Sequence, residues 1–300
     1  MQKLAYLLLF LVLQSCADTT TAAEMQEDTT EAATANEPYG GLALYTLRDT
    51  LAQNPRGVLR AVAEMGYQNI EAAGYRDGRF YGMEPTAFKN FLDSIGLVPM
   101  STHHSDVTLE NADRYIADAV AAGFTYFVIP IPPMGHFRYD ETTRTLGMSE
   151  DVAEVSRLLN AIAERCHAAG IRCLYHNHDF EFKANAAGVV PMDYFVEHSD
   201  PEKLNFQMDL YWVTRAGGDP LAYFERYPGR WPAWHVKDMD AQGRFAPVGQ
   251  GLIDFARILT GAKTAGLQTY FVEQDATFDG QPPIEAVQIS HAALPELGFE

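Results

Sequence analysis

One feature limits the fold more than any other: eight times along the chain, a short apolar or β-branched run is followed by a stretch with helical periodicity. The runs fall near Leu42 to Tyr45, Asn69 to Ala72, Val98 to Ser101, Tyr126 to Ile129, Arg172 to His176, Asn205 to Asp209, Ala233 to His235 and Thr269 to Glu273. Strands this apolar need both faces covered, and a helix after each strand of a parallel sheet covers them. Gly66, Gly96, Gly123, Gly170 and Gly266 each stand between a helical run and the next strand, where a helix-ending glycine belongs. Ser149 before Glu150, Pro220 and Pro283 mark helix starts. A doubly wound open sheet is the alternative. Its first strand, however, would lead into a Gly-rich phosphate loop, and Tyr45-Thr46-Leu47-Arg48-Asp49 stands there instead. The pattern predicts a single (β/α)8 TIM barrel, a parallel eight-stranded barrel ringed by helices, over residues 39–300.

The residues before it have other tasks. Residues 1–15 read as a lipoprotein signal peptide: Lys3, an apolar run from Leu4 to Leu13 too short to span a bilayer, then polar residues. Leu13-Gln14-Ser15-Cys16 resembles a bacterial lipobox, in which cleavage leaves Cys16 as a lipid-bearing N-terminus. Residues 16–38 are Thr, Ala, Glu and Asp with almost nothing to bury, which predicts a disordered tether. The expected location is therefore outside the cytoplasm, periplasmic or surface-facing, with membrane contact through the lipid anchor alone. Forty acidic against 22 basic residues repel phosphate backbones and exclude nucleic acid as a partner. Cys166 and Cys173 are too few for a disulfide framework and are expected as buried thiols. The sequence leaves a homo-oligomer open.

In a barrel, function gathers at the C-terminal ends of the strands, and polar residues gather there in this sequence. Glu71, His103 and His104, His176 and His178, Asp209, His235 and Lys237, and Glu273 and Asp275 all fall at strand ends. Such groups are costly to bury without partners. Residues two apart on a strand share a face, so His176 with His178, His235 with Lys237, and Glu273 with Asp275 can each face the barrel mouth together. Imidazole nitrogens and carboxylate oxygens from four neighbouring strands can converge on one divalent cation, and this donor set suits Mn, Zn, Co or Fe. Such an ion, chelated by a carbonyl and its adjacent hydroxyl, stabilises the enediolate left when the intervening proton departs.

Gly170-Ile171-Arg172-Cys173-Leu174-Tyr175-His176-Asn177-His178 resembles the strand that ends Leu-Glu-Asn-His in xylose-isomerase-like barrels. Met208-Asp209, His235-Val236-Lys237-Asp238 and Val272-Glu273-Gln274-Asp275 resemble later strands of the same superfamily, in its inosose dehydratase and sugar phosphate isomerase/epimerase branch. The resemblance implies metal ligands at His176, Asp209, His235 and Glu273. It also implies a departure, because ketose epimerases of the family carry a proton-exchanging Glu where His176 stands. With Glu273 left as the one matched base, enolisation followed by loss of a leaving group is favoured over two-base epimerisation. Export and the absence of a phosphate loop point to an unphosphorylated sugar, keto-sugar, cyclitol or glycoside, and a 3-keto-glycoside would be cleaved by elimination. A ketose epimerase or isomerase is the alternative within the family. A lipid-anchored sugar-binding protein without turnover is the alternative outside it.

The catalytic candidates are Glu273, Lys237 and His178, the last read as a substrate contact or as a ligand in place of His176. Lys237 either serves the substrate oxygen or proton transfer, or pairs with Asp238 at the surface. Glu71, His103, Tyr45 and Trp212 are the substrate-binding candidates; Glu71 and His103 or His104 are read equally as residues that support the ligands from behind, and Phe245 is offered alongside Tyr45 and Trp212 as an apolar platform. Asp209 has a second reading as the cap of the following turn. Pro130 to Gly147, the longest strand-to-helix connection, is a candidate lid.

Overall fold

The computed structural model describes residues 40–299, and the expectations for the leader, Cys16 and the tether lie outside the described residues. Eight parallel strands close into one barrel in chain order: β1 (Gly40–Ala43), β2 (Asn69–Ala72), β3 (Val98–His103), β4 (Tyr126–Ile129), β5 (Arg172–His176), β6 (Leu204–Asp209), β7 (Ala233–Val236) and β8 (Thr269–Val272), with β8 pairing back to β1. The (β/α)8 expectation holds. Gly66, Gly96, Gly123, Gly170 and Gly266 all adopt positive φ, and Pro220 and Pro283 open helices Pro220–Arg226 and Pro283–Leu297.

Side chains alternate about the barrel wall. Ala43, Met100, Tyr126, Val128, Leu174, Ala233 and Phe271 form one buried apolar cluster that plugs the interior. Leu42, Ile70, Phe127, Cys173, Phe206, Met208, Val236 and Val272 belong to the larger core beneath the helices. Cys166 and Cys173 are free and buried in that layer. Among the described residues, no helix is long and apolar enough to cross a membrane.

Among the boundaries that differ from expectation, three have a clear local reason. The first strand ends at Ala43, because Leu44–Leu47 winds into a 3-10 turn. The third runs on to His103, past the register shift that β2 makes between Ile70 and Glu71. The helix expected to begin after Ser149 begins at Val152, capped by the Asp151 side chain. Ser149 is already occupied: its N–H donates to the His136 carbonyl at 2.8 Å and its Oγ lies 2.7 Å from His136 Nδ1. That contact closes the long fourth connection, which folds as an antiparallel hairpin of Phe137–Asp140 with Thr145–Met148.

His104, offered with His103 as a mouth residue, points the other way. Its ring stacks on Phe127 at 4.4 Å and meets Tyr75 and Tyr115 edge-on, and burial pushes its pKa down to about 3. An unfolded chain protonates this ring near pH 6.5 while the fold keeps it neutral, so stability is full above that pH and drains away as pH falls towards 3. Relative to His104→Phe, the wild type should lose up to about 1.4 kcal/mol per pH unit across that window. Parallel urea titrations of the two proteins should show it, and parallel curves would refute the assignment.

Candidate functional site

Above the apolar plug the inward positions turn polar on neighbouring strands. His176 lies opposite Gln207 across β5 and β6, and Asp209 lies opposite His235 across β6 and β7. Glu273 takes the inward step after Phe271, its N–H donating to the Val236 carbonyl. All five side chains are buried.

Asp209, His235 and Glu273 bring one donor atom each within 4.8 Å of the others. His235 Nδ1 is 2.8 Å from Glu273 Oε2 and 3.7 Å from Asp209 Oδ2. His176 Nε2 stands 4.0 Å from the same Asp209 oxygen, and His176 forms a second cluster with His103 and His235, with His178 one step farther out. Asp209 takes the capping role foreseen as its second reading. Its Oδ1 accepts the Trp212 N–H at 2.9 Å and caps helix Leu210–Arg215, while Oδ2 is turned to His235, His176 and Lys237.

These residues fit a divalent cation. The other nitrogen of His235 donates to Glu71 Oε1 at 2.6 Å, so Nδ1 of a neutral ring would aim a lone pair at the Glu273 carboxylate. Without a cation a second proton must fill that gap. Burial opposes the charge, but Glu273 and Glu71 outweigh it and raise the His235 pKa well above the ordinary value. A metal ion would take that proton's place among the donors.

Lys237 supplies the positive charge nearby. Its Nζ is 2.6 Å from Glu273 Oε2, 2.9 Å from Asp209 Oδ2 and 2.9 Å from Asp275 Oδ1. It does not pair with Asp238 at the surface. Asp238 instead accepts backbone N–H groups of Met239, Gly249, Gly251 and Ile253, pinning the following loop. A Cβ on Gly251 would sit 2.2 Å from Asp238 Oδ1, so only glycine fits there. Burial disfavours the Lys237 charge, yet Asp209, Asp275 and Glu273 together raise its pKa well above normal. Lys237 is thus a fixed cation and not a proton acceptor. Burial would raise Glu273, but Lys237 and His235 hold it well below the usual carboxylate range, whereas burial lifts Asp275 to about 6.

Glu71 lies deeper than a substrate contact should, whereas the His103 side chain keeps 11% of its surface exposed. Glu71 is 1% exposed, and its carboxylate accepts from His235, His103, Ser101 and Gln207. Burial pushes its pKa up, but His103 and His235 overcome that and leave it far below normal. His103 also places Nε2 2.9 Å from Gln207 Oε1. Gln207 was not among the sequence candidates, although it stands two residues before Asp209 on the same face.

His178, Trp212 and Phe245 lie around Lys237 at the outer side of the cluster, and Tyr45 stands at the rim. His178 packs edge-on to His176 and beside Trp212, its Nδ1 buried and unpartnered. Burial and the Lys237 charge push its pKa down to about 4. Trp212 and Phe245 lie 5.6 and 5.5 Å from Lys237 Nζ, and Trp212 Nε1 has no partner. Tyr45 stands half-exposed at the rim under the Arg48 guanidinium. Glu181, missed in the sequence, fixes the His178 segment by accepting from its N–H at 2.9 Å and from the Tyr175 hydroxyl at 2.6 Å; burial lifts its pKa to about 8. The long hairpin reaches this group through Phe137 against Phe180, which stacks on His178.

Comparison with known proteins agrees with this geometry. The model of the xylose isomerase-like TIM barrel matches residues 59–292. Inosose dehydratase from Lacticaseibacillus casei is 25% identical over 138 residues, covering 39% of this chain and 45% of the dehydratase, so the chain spans less than half of that relative. A sugar phosphate isomerase/epimerase from Parabacteroides distasonis ATCC 8503 superposes with a TM-score of 0.71 at 27% identity, over 89% of this chain and 96% of its own. An IolI protein solved with a bound zinc atom superposes at 0.65 with 13% identity, over 86% and 97% of the two chains, a likeness of fold alone.

Proposed function

The chain belongs to the xylose isomerase-like TIM-barrel family, and from that premise we propose that it is a metal-dependent enzyme that removes the proton beside a carbonyl of an unphosphorylated sugar derivative and then expels a leaving group. The observation that carries the reading is the convergence of His235 Nδ1, Asp209 Oδ2 and Glu273 Oε2 beside a buried ammonium, with the His176 imidazole on the strand next to that of Asp209. A divalent ion held by His176, Asp209, His235 and Glu273 would make that proton more acidic by polarising the carbonyl.

Glu273 is the proton acceptor in this proposal. It is ionised, and its neighbour Asp275 can take the proton onward. Lys237 and the buried His178 ring face the oxygens where negative charge grows, and being held in place they need no reorganisation to meet it. Trp212 and Phe245 give the sugar ring an apolar wall and screen it from water. The ring at position 176 is neutral, since burial and the neighbouring histidines His235, His178 and His103 push its pKa well below normal. It cannot act as the second carboxylate base of a two-base epimerisation. Elimination therefore suits the residues better: in a 3-keto-glycoside, the C2 proton leaves, the C1 to glycosidic-oxygen bond breaks, a C1=C2 double bond forms, and the departing alkoxide takes up a proton. The lipoprotein leader belongs to the same proposal, placing the enzyme outside the cytoplasm where glycosides are met.

Full-length chain loaded with Mn²⁺ should incorporate solvent deuterium beside the ketone of 3-keto-glycosides and release their alcohol. Interconversion of free ketoses with 3-keto-glycosides left intact would support the epimerase instead. Tight sugar binding with no exchange in any ketose, inosose or 3-keto-glycoside would leave a binding protein.

A further inference from the structure

We propose that Glu71 and Gln207 form a positioning pair that sets which nitrogen each imidazole ligand offers, and that this pair is what allows a histidine to stand at position 176. The inference rests on the metal-site reading above and assigns these two residues a task within it.

The argument runs through donors and acceptors. An ionised carboxylate can only accept, so every group at Glu71 must donate. Its Oε1 takes His235 Nε2–H at 2.6 Å, and His103 Nε2, 2.9 Å away, shares its one N–H between this oxygen and Gln207 Oε1. Its Oε2 takes Ser101 Oγ–H at 2.7 Å and Gln207 Nε2–H at 2.6 Å. The last contact fixes the orientation of the Gln207 amide, because only its nitrogen can face Glu71. Gln207 Oε1 must then face the other way, where it lies 3.2 Å from His176 Nδ1 and 2.9 Å from His103 Nε2. An amide oxygen also only accepts, so His176 carries its proton on Nδ1.

The consequence is a pair of opposite tautomers. His235 is protonated on Nε2 and offers Nδ1 to the ion, beside Glu273 and Asp209. His176 is protonated on Nδ1 and offers Nε2, the nitrogen that faces Asp209 Oδ2. One buried carboxylate, directly for His235 and through one amide for His176, determines both. A glutamate at 176 would need no such arrangement, since either of its oxygens ligates. An imidazole there needs an acceptor behind it, and Gln207, its cross-strand neighbour, supplies one.

Glu71→Gln keeps the shape and removes the rule. An amide at 71 can still accept from His235, but its own NH₂ would then oppose the Gln207 NH₂, and Gln207 would turn over. That turn presents a donor to His176 Nδ1 and moves the His176 proton to Nε2, the ligating atom. Gln207→Leu removes the acceptor outright. Both variants should bind Mn²⁺ about 10- to 100-fold more weakly than the wild type. Their folds, followed by circular dichroism, should persist in at least the isosteric Glu71→Gln.

The decisive measurement is the tautomer. Long-range ¹⁵N–¹H spectra of the zinc-loaded full chain should show His235 metallated at Nδ1 and His176 at Nε2, with the His176 pattern altered in both variants. Gln207→Glu tests the direction of the link. Its carboxylate accepts from His176 but repels Glu71, so it should keep the His176 tautomer while weakening the hold on His235. Unchanged Mn²⁺ affinity and unchanged tautomers in Glu71→Gln and Gln207→Leu would overturn the proposal. A wild-type chain that binds neither Mn²⁺ nor Zn²⁺ would instead sink the metal-site reading beneath it.

Discussion

Lys237→Met is expected to destabilise the metal-free protein by about 3–5 kcal/mol, the usual cost of stranding buried charges when one partner is removed. In a barrel of this size that lowers the melting temperature by roughly 10 °C. Methionine matches the length of the side chain and can lie in the same slot between Trp212 and Phe245, so packing loss is small. What remains is electrostatic: Asp209, Glu273 and Asp275 lose the ammonium that sits within 2.9 Å of each. Saturating Mn²⁺ should restore much of the difference, because a divalent ion answers the same carboxylates. Calorimetry of both proteins with and without the ion tests both halves. A variant as stable as the wild type without metal would show that Lys237 is not the charge that holds the carboxylates together.

Glu273→Gln is the second large effect. If Glu273 takes the substrate proton, the isosteric amide should lower turnover and solvent deuterium exchange by roughly 10²- to 10⁴-fold. The fold should survive, since Gln can still accept from His235 at Oε1 and its amide is no larger. Binding of an unreactive sugar should change far less than exchange, and this split separates a lost base from a collapsed pocket. Exchange at the wild-type rate would move the base to Asp275, the next inward carboxylate on the same chain segment.

Much of this site could be read from the chain because a strand has period two and a barrel gathers its strand ends. Those two facts gathered the polar strand ends at one mouth, and the resemblance to xylose-isomerase-like barrels singled out His176, Asp209, His235 and Glu273 among them. The same rule had the means to find Gln207, which alternates with Phe206 and Met208 and shares the face of Asp209. It was passed over because an amide carries no charge to draw attention. Glu71 is open in the sequence between touching substrate and supporting the ligands from behind, and its place follows from contacts the sequence does not show: β3 carries an extra residue, Met100, opposite the Ile70 to Glu71 step, and one partner, His235, lies 164 residues away. His104 was misjudged for a related reason. The strand before it runs to His103, so the next residue turns outward into the ring stack of Phe127. Local periodicity also gave no sign of the hairpin in the long fourth connection, because its two strands are exposed or half-exposed and bury no continuous face.

The two oxygens of Asp209 bear on how this lineage can change. One starts a helix and the other serves the site, so a single residue is inherited for two reasons at once. Descendants that abandon catalysis can discard Glu273 first, at modest cost to the barrel. They cannot as readily discard Asp209 without unpinning helix Leu210–Arg215. An aspartate at this position in an inactive relative would therefore be a relic of architecture and no sign of retained activity, whereas loss of Glu273 would be the reliable record of a chemistry given up.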